Sequence, residues 1–195
     1  MSSAIAQSPL FDPKMPASIS YGGLGFIVGH ELTHSFDNDG SKYDEQGRKK
    51  EWFDSKSKAE FLKRSDCFVK QYGKLREKGV QKRVNGNKTL GENIADNGGI
   101  KAAFRAYQKH LKSKGDKRVP GYSRYTNEQA FFINAGVSFC QAAGESHKSF
   151  LLEVDDHSPN IFRINTVLQN FAEFARVFKC RQNTPMNPKN RCSIW

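Results

Sequence analysis

His30 and His34 stand four residues apart, with Glu31 directly after the first. On a helix, such a pair shares one face, so two imidazole nitrogens can meet one metal ion. Zinc accepts imidazole nitrogen at about 2.0–2.1 Å, and its catalytic sites use three protein ligands and keep a fourth position open. Glu31 lies about 100° round the helix from His30. There a carboxylate can take a proton from metal-bound water without being a ligand itself. The types and spacing describe metal-assisted hydrolysis.

The third ligand is not in the same stretch. The metzincin pattern needs Gly at position 37 and His at position 40, but the chain has Asp37 and Gly40. A carboxylate from a second helix is the other common arrangement. Glu92 and Asp96 fall four apart in Gly91-Glu92-Asn93-Ile94-Ala95-Asp96, hence on one helical face. One of them can ligate while the other accepts the ring N–H of a ligand histidine. Asp37, three residues past His34, is placed to do the same. The plain alternative is a buried helix with two incidental histidines and a second helix with two solvated acids.

These residues need helices to hold them. Apolar Leu24, Phe26, Ile27, Leu32 and Phe36 predict a buried helix from Ile19 to Asp37. Gly22, Gly23, Gly25 and Gly29 weaken its propensity and point to close packing or ligand approach. Asp54-Ser55 can cap a helix running to about Leu75. Asn85-Gly86-Asn87 breaks the chain before a helix from about Leu90 to Leu111, and Lys112 to Tyr125 reads as a polar loop. Glu128 to Ala142 is an almost uncharged, buried helix. Gly144 to Pro159 reads as an acidic, polar connection. Ile161 to Cys180 forms a last amphipathic helix, and Thr184 to Trp195 an extended tail. No repeat and no alternating strand pattern is visible, so the fold class is mainly α.

The 195 residues fit one domain with a sizeable core. No run approaches the roughly 20 apolar residues of a membrane span, and Met1 to Ser20, with Pro9, Pro13 and Pro16, lacks the form of a secretory signal. The net charge is +11, much of it between Lys42 and Lys88. A polyanion-binding face is one reading of that stretch. Interleaved Asp44, Glu45, Glu51, Asp54, Glu60, Asp66 and Glu77 favour a solvated surface instead, and no nucleic-acid motif accompanies the charge. Cys67, Cys140, Cys180 and Cys192 form no Cys-x-x-Cys pair, and three complete pairings are open to them. Asn87-Lys88-Thr89 is a glycosylation acceptor in a secreted chain.

Val28 to Asp39 (VGHELTHSFDND) and Thr89 to Gly99 (TLGENIADNGG) resemble the paired motifs of the neprilysin and endothelin-converting-enzyme family of zinc endopeptidases. The resemblance continues through Phe131-Phe132-Ile133-Asn134, Asp155-Asp156-His157-Ser158-Pro159, Phe162-Arg163 and the terminal Cys192-Ser193-Ile194-Trp195. It implies a zincin-like (gluzincin) helical catalytic domain with one Zn2+ per chain, held by His30, His34 and Glu92. Glu31 would be the general base, with Asp37 orienting His34 and Asp96 orienting His30. His157, steadied by Asp155, would donate to the oxyanion, and Arg163 would anchor a substrate carbonyl. Phe26, Ile27, Ser138 and Phe139 match positions lining the apolar pocket after the scissile bond. Ser138 stands where a branched apolar residue is frequent. The same likeness implies a Cys67–Cys192 disulfide, and partners for Cys140 and Cys180 in an upstream portion.

Family members are several times longer, with a membrane anchor, a roofing domain and an upstream substrate-holding strand. Residues 1–195 therefore read as a C-terminal zinc metallopeptidase domain, a fragment lacking the N-terminal part. The implied activity is hydrolysis of peptides on the N-terminal side of large apolar residues, at the cell surface or outside the cell. The implied partners are peptide substrates and the missing N-terminal domain, with no nucleic acid and no membrane segment in the chain. The rival readings are a folded, zinc-binding but catalytically impaired fragment, and a basic polyanion-binding module.

Overall fold

The computed structural model describes residues 2–195, and among them the architecture is helical, with isolated bridges at Tyr43–Lys49 and Thr184–Asn187 in place of strands. The chain enters through α1 (Ala17–Ser20), passes a five-residue π-helical segment (Tyr21–Gly25), and continues as α2 (Phe26–His34). The expected Ile19–Asp37 helix is thus one helical run with a widened turn in it. Gly22 and Gly23 lie against the backbone of Phe131 and Leu10 there, a fit no side chain would permit.

α3 (Ser55–Tyr72) starts where Asp54 accepts the Ser57 N–H at 2.9 Å, a side-chain cap. It buries Phe61, Ser65, Phe68 and Tyr72, a stripe at helical spacing. α4 (Leu90–Lys114) is the central element. Ile100, Phe104 and Tyr107 join one core, with Phe131, Phe132, Val167 and Phe171. Ile94 joins another, with Phe61, Phe68, Tyr72, Cys192 and Ile194. α5 (Asn127–Val137) opens on a capping box between Thr126 and Gln129 and stops five residues short of the expected end. Ser138 terminates it by donating its hydroxyl back to the Asn134 carbonyl at 2.9 Å, which competes with helix propagation.

Two expectations are corrected. The connection from Gly144 to Pro159 contains a helix, α6 (Glu145–Val154), anchored by the Lys148–Glu77 ion pair at 2.9 Å and by Leu152 against the second core. Its apolar residues, Phe150, Leu151, Leu152 and Val154, crowd its last five positions, so no helical period announced it. The last helix is split into α7 (Asn160–Asn170) and α8 (Ala172–Val177), with Phe171 extended between them at φ −103° and ψ 105°. The break is fixed by the Asn170 side chain, which bonds Asn97, Gln71 and the backbone N–H of Cys192. Cys67 and Cys192 form a disulfide with Cα atoms 5.6 Å apart and 125 residues between them in sequence. It fastens the tail to α3. Cys140 and Cys180 are free thiols here.

The crossing of α2 over α4 fixes the site. A Cβ on Gly29 would lie 2.6 Å from the Gly99 carbonyl oxygen, and one on Gly99 would lie 2.5 Å from the His30 nitrogen. The helices meet backbone to backbone, which brings the His30 turn onto the Glu92–Asp96 turns. Gly99→Ala must push the helices apart. Overpacking of this kind costs about 1–3 kcal/mol, or about 2–4 °C in Tm per kcal/mol at this size. Zinc affinity should fall with it, because the two halves of the donor set separate. Thermal unfolding and chelator competition on the variant check both, and an unchanged zinc affinity would mean the crossing does not set the site.

Candidate metal centre

α2 supplies His30 and His34 on one face, and the first two turns of α4 supply Glu92 and Asp96. The loop between α6 and α7 supplies Asp155 and His157, and α7 supplies Arg163. His30 and Asp96 are buried, Glu92 and His34 partly so. The Nε2 atoms of His30 and His34 lie 3.0 Å apart. Glu92 Oε2 lies 3.2 Å from the first and 3.5 Å from the second.

Each ring has its other nitrogen tied to a carboxylate. His30 Nδ1 donates to Asp96 Oδ1 at 2.8 Å, and His34 Nδ1 to Asp37 Oδ2 at 2.6 Å. Asp37 is itself fixed, since its other oxygen accepts the N–H groups of Asp39 and Gly40. These bonds place the ring hydrogens on Nδ1, so two Nε2 lone pairs point at each other and at a carboxylate. Glu92 Oε2 is buried among three imidazole nitrogens, with His157 Nε2 at 3.0 Å beside those of His30 and His34. Neutral rings would face each other and Glu92 acceptor to acceptor at 3.0–3.5 Å, an arrangement that calls for a proton or a metal ion between them. In a tetrahedron with bonds of about 2.0–2.1 Å the donors stand about 3.3 Å apart, so the set fits zinc in type and spacing.

The electrostatics agree. Asp37, Glu92, Asp96 and Asp155 outnumber the one guanidinium, Arg163, in this constellation. Burial alone would lower His30, but the Asp96 and Glu92 carboxylates override it and lift the ring to about 9. Burial pushes Glu92 up, and bonds from His157 and His30 more than reverse this, so it stays ionised. The site attracts positive charge.

His30, Glu92 and His157 also bring donor atoms within 4.8 Å of one another, so His157 rivals His34 as a ligand. Its Nε2 is 3.0 Å from Glu92 Oε2, and its Nδ1 is 2.8 Å from Asp155. The ring arrangement favours His34, whose centroid is 4.6 Å from that of His30, against 6.5 Å for His157. His157 flanks the donor set on the Glu92 side. The Glu92 bond, with help from Asp155, raises the His157 pKa, and as an imidazolium the ring donates from Nε2.

Arg163 is more committed than an anchor for substrate would need. Its Nε and one terminal nitrogen donate to the two oxygens of Asp96 at 2.9 and 2.8 Å, and its guanidinium carbon stands 4.8 Å over the Phe139 ring. The second terminal nitrogen, with the remaining hydrogen of the first, is left for a ligand. Glu31, next to His30 in sequence, is exposed. Of the residues expected to line the apolar pocket, Phe139 and Ile27 are partly open. Phe26 is fully buried behind Phe139, with ring centroids 5.6 Å apart, and supports that wall from within. Ser138 is partly exposed, with its hydroxyl turned to Asn134. Asn87 is exposed on the loop before α4. The spacing argument missed Gly99, Asn93 and Ser158. The Gly98-Gly99 pair inside a helix was the available signal for the first; nothing local marked the other two.

Many cations of the Lys42–Lys88 stretch are matched by acids: Lys42 by Asp39, Arg48 by Asp44, Lys58 by Glu51, Arg64 by Glu60 and Lys70 by Asp66. No helix among the described residues is long and apolar enough to cross a membrane.

The family model described as Peptidase family M13 matches residues 1–194. Neprilysin-1 of Caenorhabditis elegans is 44% identical over 193 residues, covering 98% of this chain and 26% of that protein. Human neprilysin is 39% identical, also over 98% of this chain and 26% of its own length. The inhibitor complex of the Mycobacterium tuberculosis zinc metalloprotease Zmp1 superposes with a TM-score of 0.91 at 32% identity, over 99% of this chain and 30% of that one. The chain spans about a quarter of the length of these curated relatives.

Proposed function

The chain belongs to peptidase family M13, and from that premise we propose that residues 1–195 form one domain, the zinc-binding, peptide-cleaving part of a metalloendopeptidase. The observation that carries this is the pair of Nδ1-locked imidazoles whose other nitrogens face each other at 3.0 Å and converge on the Glu92 carboxylate at 3.2 and 3.5 Å. His30, His34 and Glu92 would hold one zinc ion per chain. Zinc bound there supplies Lewis acidity, which no side chain in the site can provide.

The chain's own residues do the rest. Asp96 and Asp37 hold the two rings in the tautomer that presents Nε2. Glu31, next to His30 in sequence and open to solvent, accepts the proton of the attacking water on its carboxylate and returns it to the leaving amine. His157 donates from Nε2 to the oxygen on which negative charge grows, and the free arm of Arg163 holds a substrate carbonyl. Phe139 and Ile27, backed by Phe26 and bounded by Ser138, would take a large apolar side chain just after the cut.

Relatives supply a further three quarters of polypeptide, and Val28 and Leu32 on α2, with Phe36 just past its end, leave apolar surface exposed. Positioning is a large share of catalysis, and small misplacements cost about 10²-fold. We expect the chain alone to bind zinc and cleave peptides slowly, and to gain rate when joined to the remaining length found in its relatives. A cell-surface or extracellular setting, with a glycan at Asn87, fits the same reading. Metal analysis of the purified chain, followed by cleavage of peptides with Phe or Leu after the scissile bond, tests it. One chelatable zinc per chain with chelator-sensitive cleavage is the expected result. Zinc without any cleavage, even after joining to the remaining length found in the relatives, would leave only a metal-binding domain.

A further inference from the structure

We propose that the buried hydrogen bond between Ser158 and Asn93 is the element that positions His157 against Glu92, making these two polar residues positioning residues for the oxyanion donor. The proposal rests on the role given to His157 above.

His157 has no helix of its own. It sits between the end of α6 at Val154 and the start of α7 at Asn160, and a loop must be tied down if its side chain is to act within a few tenths of an ångström. Packing does not do this. A cavity of about 140 Å3 undercuts the loop, lined by Asp155, His157, Ser158, Pro159 and Arg163 together with Leu152. The bond from His157 to Asp155 lies within the loop and would travel with it. Lys88 reaches the Glu153 carbonyl and lies 3.9 Å from Asp156, but that contact is at the surface and weak in salt.

The remaining tie has the required form. Ser158, next to His157, donates its hydroxyl to Asn93 Oδ1 at 2.7 Å, and Asn93 is next to Glu92. Both partners are buried. The Asn93 amide nitrogen donates to Thr89 Oγ1 at 2.8 Å, and that hydroxyl donates to the Asn85 carbonyl at 3.1 Å. The amide cannot rotate without breaking this chain, so its oxygen is fixed toward the loop. Each end of the bond thus sits one residue from an end of the His157–Glu92 contact, and the burial of both partners makes it costly to break.

Ser158→Ala should lower kcat by about 10- to 100-fold with KM and zinc content little changed, and Ser158→Thr, which keeps the hydroxyl, should recover most of the loss. The losses from Ser158→Ala and His157→Ala should not add, because both act through one ring. A second readout needs no turnover. In protein labelled with 13C at the histidine ring, the His157 signal should shift and sharpen in Ser158→Ala as the ring is released, while the His110 and His147 signals stay put. Additive losses, or an unmoved His157 signal, would overturn the proposal and leave Ser158 a structural residue. If the wild-type chain neither binds zinc nor cleaves peptide, the proposed function fails, and the ring signal still decides whether Ser158 positions His157.

Discussion

Replacing Glu31 by glutamine is expected to leave zinc bound at one per chain and to lower peptide hydrolysis by about 10²–10⁴-fold, the range for loss of a positioned acid–base group. Glutamine keeps the volume and a polar tip but can neither accept the proton from water nor hand it to the leaving amine. The residue is exposed on α2 and is not among the donor atoms that crowd Glu92. The metal should therefore not register the change. Metal content and kcat measured on the same preparation, in the chain and in any longer active version, separate the cases. Turnover retained with Glu31→Gln would remove Glu31 as the base, and zinc lost with it would mean that the side chain supports the ligands.

The site was legible in the sequence to the extent that its chemistry repeats along a helix. His30 with His34 and Glu92 with Asp96 follow the four-residue step, and Asp37 falls one turn past His34. Which of Glu92 and Asp96 faces the metal did not follow from spacing, since both sit on one face. The structure separates them by burial and by partners: Arg163 and His30 Nδ1 occupy the Asp96 oxygens, whereas Glu92 Oε2 faces the Nε2 atoms of His30 and His34. Glycines were readable as close approach, but not that Gly29 meets Gly99, because contact between segments 70 residues apart leaves no local period. α6 was missed for the opposite reason. Its apolar residues are bunched, and much of what holds it is an ion pair and a contact with the second core, both tertiary. The split between α7 and α8 is likewise set by partners of Asn170 on α3, α4 and the tail.

Asp96 is where stability and metal binding are joined most tightly, so its removal should have the largest combined effect. Its buried carboxylate takes the His30 ring N–H on one oxygen and Arg163 on both. Burial would push its pKa up, but Arg163, aided by His30, holds it below the usual carboxylate range. Asp96→Ala leaves a largely buried guanidinium without its counter-charge, a change that costs about 3–5 kcal/mol in comparable buried pairs. It also frees the His30 ring to turn, and loss of such a support weakens metal affinity by about 10- to 100-fold. Asp96→Asn keeps the shape and one acceptor but turns an amide N–H toward a donor. It should lose less stability while still weakening zinc binding. The two effects come apart in a double variant. With Arg163→Ala added, no buried charge is stranded, so Asp96→Ala/Arg163→Ala should be more stable to denaturant than Asp96→Ala alone. Zinc affinity should not recover, because the His30 ring still lacks its partner. Denaturant midpoints and chelator competition on the single and double variants measure the two quantities. Should the double variant regain zinc affinity, Asp96 would be acting on the metal through Arg163 and not through His30.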